Sequence, residues 1–400
     1  MSKKNYCRIC KNLLSDKILC LKEMPLTDDF IHLNKKDRNE YLGDIEIYVC
    51  GNCKIIQNPN DFDHDSYYDD YQYSTGHSKF TQNFMSLYAS ELVKCYSKIN
   101  GKSPETVLEV GSGDGHQLMK FEEHGLRKII GIEPSSYLAE IANKNGIQTK
   151  VKLFENNLIS EFDERFDICL SSYTFDHVRK PLDYIKSAYE LLSKNGVLAL
   201  EVHDLKKIIE RTEYCLFEHE HTTYMNSDDL SFLLENNGFK VISINPIPQE
   251  SVRGNSLIVI AQKLDEEIEF NFSRENITRN IDIEKLQDRI NLTIGKIDNW
   301  LKNLDENETV VGFGAGGRGV MTIAALKNHK KISCLFDTNY ESNEFLTPKT
   351  RIPIFGPNDW EKYNKKICII FSFGYFNEIS ESLILKGFDK KKIISLSDFF

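Results

Sequence analysis

Thr106-Val-Leu-Glu-Val-Gly-Ser-Gly-Asp-Gly115 is the stretch that decides the fold of this 400-residue chain. Its first five residues, with Val107, Leu108 and Val110 around Glu109, have the length and make-up of a strand. Gly111, Gly113 and Gly115 then allow backbone conformations that a Cβ would forbid, and a close approach to a ligand. A helix is expected from about His116. Twenty residues on, Lys128-Ile-Ile-Gly-Ile-Glu133 is a second strand that ends in an acid. An acid at that place accepts hydrogen bonds from ribose hydroxyls. A third strand, Phe166-Asp-Ile-Cys-Leu-Ser-Ser172, continues into Tyr-Thr-Phe-Asp-His-Val178. A helix holding Leu191-Leu192 and the strand Gly196–Glu201 follow. The alternation predicts an α/β unit with a ligand crevice at the carboxyl ends of its strands.

The E-x-G-x-G-x-G form of the loop, followed by Gly131-Ile-Glu-Pro-Ser135, resembles motifs I and II of class I methyltransferases. A dinucleotide site would share the glycines but not this detail. The resemblance implies S-adenosylmethionine as cofactor, with Glu109, Gly111, Gly113, Asp114, Gly115, Gln117, Glu133, Pro134 and Ser172 as its contacts.

Working outward, the chain falls into three zones: 1–75, 76–265 and 266–400. The first is polar and contains Cys7-Arg-Ile-Cys10 and Cys50-Gly-Asn-Cys53. Two such knuckles offer four thiolates, which suits a closed, structural zinc site. Neither pair stands at a strand–helix turn, which disfavours a redox role. The other six cysteines, Cys20, Cys95, Cys169, Cys215, Cys334 and Cys368, are expected to pack as small apolar side chains. The third zone opens with a charged segment in which Ile283, Leu286, Ile290, Ile294, Ile297 and Leu301 recur at helical spacing, so one long amphipathic connector helix is expected over 266–305. Beyond it, Val310-Val-Gly-Phe-Gly-Ala-Gly-Gly-Arg-Gly319 is a second strand, glycine turn and helix. The strand Lys331–Asp337 again ends in an acid. By motif alone this is a dinucleotide site, in which the helix N-terminus would present free N–H groups to phosphate and Arg318 would add charge.

A net charge of −10 disfavours broad binding to nucleic acid or anionic membranes. No run is apolar enough to span a bilayer, and the start has no apolar core of a secretory signal. A cytoplasmic protein with reduced thiols is expected.

Phe217-Glu-His-Glu-His-Thr-Thr-Tyr224 follows the strand ending in Glu201. Two imidazoles and two carboxylates in four residues suit a base constellation, a metal site or a solvated loop. In an extended arrangement Glu218 and Glu220 would share one face, and His219 and His221 the other.

Taken in order, the whole set resembles the nucleotide-sugar C-methyltransferases, which methylate a carbon next to the keto group of a nucleotide-linked deoxysugar. The matching features are the paired C-x-x-C knuckles, Tyr71-Gln-Tyr73 with Ser78, the loop Glu109–Gly115 and Gly131–Pro134. They continue with His219-Glu-His-Thr-Thr-Tyr224, Gly254-Asn-Ser-Leu257, Gly312–Gly319, Asp337 and Pro348–Ile354. The likeness runs along nearly all of the chain. It implies an N-terminal zinc domain, a class I methyltransferase domain and a second Rossmann-like domain that helps close over the sugar nucleotide. Ser78, Gly254, Asn255, Ser256, Gly314, Arg318 and Asp337 are then the expected substrate contacts. The chain departs from the pattern at Glu218, where the family usually has Tyr, at Arg318, where Lys is common, and at Ser372-Phe-Gly-Tyr375, where Trp-Asn is usual.

Carbon methylation needs a base for the acidic C–H, donors for the enolate oxygen and close placement of both substrates. The expected base is His221, oriented or relayed by Glu220, with His219 as runner-up. Tyr71, Tyr73 and Tyr224 are expected to bind or polarise the sugar. The competing readings are O- or N-methylation, a nicotinamide-dependent reductase using the C-terminal loop, and an inactive scaffold.

Overall fold

The computed structural model describes residues 5–61, 78–154, 156–265, 282–338 and 344–400. In the N-terminal part, β1 (Asp16–Pro25), β2 (Ile31–His32), β3 (Leu42–Val49) and β4 (Ile56–Gln57) are the strands. Next come α1 (Lys79–Asn100), β5 (Thr106–Val110), α2 (His116–Glu122), β6 (Lys128–Glu133), α3 (Ser136–Lys144) and β7 (Gln148–Val151). They are followed by β8 (Phe166–Ser172), α4 (Pro181–Leu191), β9 (Leu192–His203), α5 (Leu205–Glu210), β10 (Thr223–Tyr224), α6 (Ser227–Glu235), β11 (Phe239–Ile244) and β12 (Ser256–Lys263). The C-terminal part holds α7 (Leu286–Lys302), β13 (Val310–Phe313), α8 (Gly317–Ala324), β14 (Ile332–Phe336), β15 (Phe345–Leu346), β16 (Pro353–Phe355), β17 (Ile367–Ile370), α9 (Phe376–Leu385) and β18 (Ile393–Ser395).

These elements gather into two compact units, and their division does not follow the expected boundary at residue 75. Among the described residues, the first unit takes the chain up to Asp16, Val49–Leu205 and from His221 to 265. The second takes Lys17–Tyr48, Lys206–Glu220 and everything from 282 onward. Backbone pairing explains the split of the N-terminal zone. β4 pairs with β10 in the first unit, and β2 pairs with β15 in the second. A short polar segment cannot bury its own strands unaided, so β4 borrows β10 as a neighbour and β2 adds to the edge of the second unit's sheet.

The first unit is built on a seven-stranded sheet in the order β11-β12-β9-β8-β5-β6-β7. β9, β8, β5, β6 and β7 run parallel, while β12 is antiparallel to β9 and β11 to β12. This is the class I methyltransferase fold. From β5 the chain steps to β6 and β7 on one side and then returns to β8 and β9 on the other, so the glycine loop opens at the switch point. All five residues of β5 are buried, Thr106 and Glu109 together with their apolar neighbours, as befits a central strand covered on both faces. Helix α1 begins on Ser78, whose side chain accepts from the Thr81 N–H, and stops at Gly101 in the left-handed region (φ 66°). Its Phe84, Tyr88 and Leu92 pack on Val107, Ile168 and Ile260 of the sheet.

The second unit has its own seven-stranded sheet, β18-β17-β13-β14-β16-β15-β2. The four pairings from β18 to β16 are parallel, the two made by β15 are antiparallel, and β13 holds the switch position. The second Rossmann-like arrangement is thus present. The connector helix is shorter than the sequence pattern suggests, running Leu286–Lys302; residues 266–281 lie outside the described chain. Its buried seam is Leu286, Ile290, Thr293, Ile297 and Leu301. Thr293 takes the seam position expected for Ile294 because its hydroxyl has a partner there, Thr212 Oγ1 at 2.9 Å. Among the described residues no helix is long and apolar enough to cross a membrane.

Candidate active site and metal centre

Both cysteine knuckles fold alike. The Lys11 N–H donates to the Cys7 carbonyl at 3.1 Å, and the Lys54 N–H to that of Cys50 at 3.0 Å. Lys11 (φ 60°) and Lys54 (φ 63°) both take the left-handed conformation that such a turn demands. The four donor sulfurs lie within 4.8 Å of one another, Cys7 Sγ at 3.5 Å from Cys53 Sγ and Cys10 Sγ at 3.4 Å from Cys50 Sγ. A disulfide would need about 2 Å; four sulfurs each about 2.3 Å from a tetrahedral zinc stand about 3.8 Å apart. The donor set therefore fits zinc. Nearness to Cys50 pushes the Cys7 thiol up to about 11 and the Cys53 thiol up as well, so a shared dication is what would let all four ionise. Gln57 Nε2 donates to Cys7 Sγ at 3.2 Å and Asn12 Nδ2 to Cys10 Sγ at 3.4 Å, as thiolates require. Arg8 binds the knuckle to β4 through the Gln57 side chain (2.8 Å) and the Asn58 carbonyl (2.9 Å).

At the first glycine loop, Glu133 does more than wait for a ribose. Its Oε2 accepts from the Gly113 N–H and its Oε1 from the Ser135 N–H, both at 2.8 Å. Gly113 (φ 53°) has nothing within 4 Å of where a Cβ would stand, whereas at Gly111 a Cβ would collide with Thr174 Oγ1. Glu109 is 2% exposed, and its Oε2 has no hydrogen-bond partner. Burial pushes its carboxyl well above the usual range. The hydroxyls of Ser112 and Ser172 are also without partners. An open cradle, a bare buried carboxyl and two bare hydroxyls are what a cationic amino-acid nucleoside would satisfy, so the residues fit S-adenosylmethionine. Pro134 is half-buried beside Glu133. Asp114 instead pairs with His116 (Nδ1 at 2.7 Å), and Gln117 spends its amide on the Met85 carbonyl at 3.0 Å.

The segment after β8 joins this loop to the histidines. Thr174, which touches Gly111, precedes the single 3-10 turn Phe175–His177. Thr222 ties the signature segment there: its N–H donates to the Asp176 carbonyl at 2.7 Å and its hydroxyl to that of Val178 at 2.7 Å. His221, 2% exposed, is thereby set among His177 (ring centroids 4.7 Å), His203 (4.9 Å) and Tyr224 (6.0 Å). Asp176 Oδ2 meets His203 Nδ1 at 2.7 Å and accepts the His203 N–H at 3.0 Å. Burial alone would raise Asp176, but the His203 hydrogen bond, with His221 and His177 nearby, holds it down at about 2. Tyr173 (φ 50°) lies against the His203 ring at 4.3 Å.

The division into units falls inside the signature: His219 and Glu220 belong with the second, His221 with the first. Glu220 does not meet His221 as expected. Its Oε1 accepts both the N–H and the hydroxyl of Thr27 at 3.0 Å, and the carboxylate that reaches the histidines is Asp176. His219 is bound through Nε2 to the Met24 carbonyl at 3.0 Å and stacks edge-on against Tyr41; burial lowers its pKa. Tyr71 and Tyr73 lie outside the described residues. Ser78 is a helix cap. Asn255 Oδ1 accepts the Asp204 N–H at 3.1 Å, and Ser256 donates to Glu201 Oε1 at 2.6 Å, where Arg253 also binds, so the Gly254–Ser256 turn buttresses the end of β9. Nothing in either local sequence pattern marks Asp176 or His203; the adjacency of β8 and β9 brings them together.

At the second loop, Asp337 Oδ2 accepts the Ala315 N–H at 2.8 Å, the same brace that Glu133 gives the first. Gly314 (φ 100°) packs on Ser372. Arg318 faces the buried Glu213 at 3.4 Å, and Arg211 meets the same carboxylate at 3.1 Å. A Cβ on Gly317 would stand 2.6 Å from Glu218 Oε1. A carboxylate therefore occupies the N-terminus of α8, the place a phosphate would take.

Comparison with known proteins agrees with this construction. Residues 7–68 match a zinc binding domain, 81–244 a methyltransferase domain and 253–389 a C-methyltransferase C-terminal domain. The chain is a methyltransferase, and its C-terminal part is similar to the C-terminal domain of C-methyltransferases. Such methyltransferase domains take their methyl from S-adenosylmethionine. The C-methyltransferase NovU of Streptomyces niveus is 22% identical over 94% of this chain and 91% of its own length. The tRNA U34 carboxymethyltransferase of Helicobacter pylori is 26% identical over only 28% of this chain and 44% of its own. Among solved structures, the plantazolicin methyltransferase BamL is 16% identical and covers 46% of this chain and 86% of its own, with a TM-score of 0.38.

Replacing Glu133 by alanine should weaken S-adenosylmethionine binding by about 1–3 kcal/mol, since it unpairs the Gly113 and Ser135 N–H groups as well as removing the ribose acceptor. Gly113→Leu should abolish it by filling the cradle. Calorimetry on both variants checks the placement, and wild-type affinity in both would refute it.

Proposed function

We propose that this chain is a C-methyltransferase that acts on a nucleotide-linked keto-deoxysugar, at a carbon beside the carbonyl. The observation that carries the reading is the buried His221, held by Thr222 against the turn that touches the glycine loop. S-adenosylmethionine, when bound, supplies a methyl group on a positively charged sulfur. The chain's own residues then have three tasks. His221 takes the proton from the carbon, for which a neutral imidazole is suited by its ordinary pKa of about 6.5. Tyr224, with Tyr71 and Tyr73, offers hydroxyls to the sugar and its enolate oxygen. Glu109 and Glu133 hold the cofactor's charged and ribose ends. A cytoplasmic, reducing setting suits ten cysteines of which four face a metal site and none is in a disulfide.

The reductase reading is disfavoured by Glu218 at the N-terminus of α8, where a dinucleotide would bring a phosphate against a carboxylate. The test is a screen of keto-sugar nucleotides with S-adenosylmethionine, read by mass spectrometry. A gain of one methyl that survives ester- and ether-cleaving conditions is expected. A labile methyl on oxygen would replace this reading with O-methylation.

A further inference from the structure

Apart from the four thiols, one described cluster assembles metal-ligating atoms of mixed kind. Asp176 in the turn after β8, His203 at the end of β9 and His221 each bring one donor atom within 4.8 Å of the other two. None of the three is more than half-exposed, and Asp176 and His221 are fully buried. Asp176 Oδ2 is engaged by His203, but its Oδ1 is buried and has no hydrogen-bond partner. A buried carboxylate oxygen left bare is costly, and a cation is the partner that relieves it best. Two imidazoles and a carboxylate are a donor set for divalent first-row ions, and three protein ligands leave coordination positions open.

We propose that Asp176, His203 and His221 form a second metal site, for a divalent transition ion such as zinc or cobalt, separate from the four-thiolate site. In the metal-free form the Asp176–His203 hydrogen bond stands where the ion would bridge the two side chains. The site belongs wholly to the first unit and does not depend on which sugar the enzyme takes. An ion there holds a lone pair of His221, so the base role proposed above applies to the chain whose thiolate site alone is filled.

The test uses the full chain, stripped of metal, given one equivalent of zinc and then titrated with cobalt(II). A second equivalent should bind and show visible d–d absorption without a thiolate-to-cobalt charge-transfer band. Asp176→Asn and His203→Gln should each weaken that second equivalent by about tenfold or more. Metal-stripped samples of both variants given one equivalent of cobalt in place of zinc should still show the thiolate charge-transfer band, which reports an intact fold. A wild-type chain that takes only one metal ion overturns the proposal without recourse to any variant. So does a second ion whose affinity is the same in wild type and both variants.

Discussion

Cys50→Ser should cost the protein its thiolate-bound zinc and, with it, the order of the first knuckle and β4. Structural zinc in comparable peptide sites contributes about 10–16 kcal/mol, and binding there is inseparable from folding. Residues 5–16 and 49–61 offer little other core: besides the cysteines, their buried apolar side chains are Ile9, Leu14, Ile55 and Ile56. The loss should also reach the active site. Gln57, which donates to Cys7 Sγ, is paired with Thr223 in β10, and the Asn58 N–H binds the Thr222 carbonyl at 3.0 Å. Thr222 is the residue that fixes His221. Turnover should therefore fall along with metal content, while calorimetric affinity for S-adenosylmethionine, which rests on Glu109 and Glu133, stays near wild type. Cobalt substitution gives the direct readout: the wild type should show a thiolate charge-transfer band and Cys50→Ser should not. Well-folded wild-type protein without metal at these thiolates would sink the assignment.

The same chain of contacts explains how far the sequence could be read. The glycine loops, their partner acids and the paired knuckles are each contained within a few consecutive residues, so local pattern is enough to find them. Glu133 bracing Gly113 and Asp337 bracing Ala315 repeat one device twice, and each acid closes the strand after its loop. What local pattern cannot show is which strand edges meet. Ile31-His32 pairs with Phe345-Leu346, more than three hundred positions away. Asp176 and His203 lie 27 positions apart and meet only because β8 and β9 are neighbours. The signature Glu-His-Glu-His suggests by alternation that its carboxylates work together. Instead Glu218 goes to Gly317 and Glu220 to Thr27, each answering a backbone N–H or helix end that a sequence does not display.

His221→Ala should leave S-adenosylmethionine affinity nearly unchanged and cut turnover about a hundred- to ten-thousand-fold, the usual contribution of a general base. The side chain is 2% exposed and placed by its neighbour Thr222 rather than by the cofactor loop, so binding and chemistry should separate cleanly. His219→Ala should do far less to the chemical step, because that ring is fixed on the Met24 carbonyl. Glu220→Gln should likewise spare the proton transfer, since its carboxylate holds Thr27. Proton removal can be watched without methyl transfer by placing a keto-sugar nucleotide in deuterated water with a cofactor analogue that lacks the transferable methyl. Wild type should exchange the hydrogen at the carbon to be methylated, and His221→Ala should not. Exchange at the wild-type rate in His221→Ala would move the base elsewhere, with His203 next in line: its Nδ1 is bound to Asp176, which leaves Nε2 to act on a proton. Asp176→Asn distinguishes the two cases, because it would disable a His203 base by freeing its tautomer while leaving a His221 base in place.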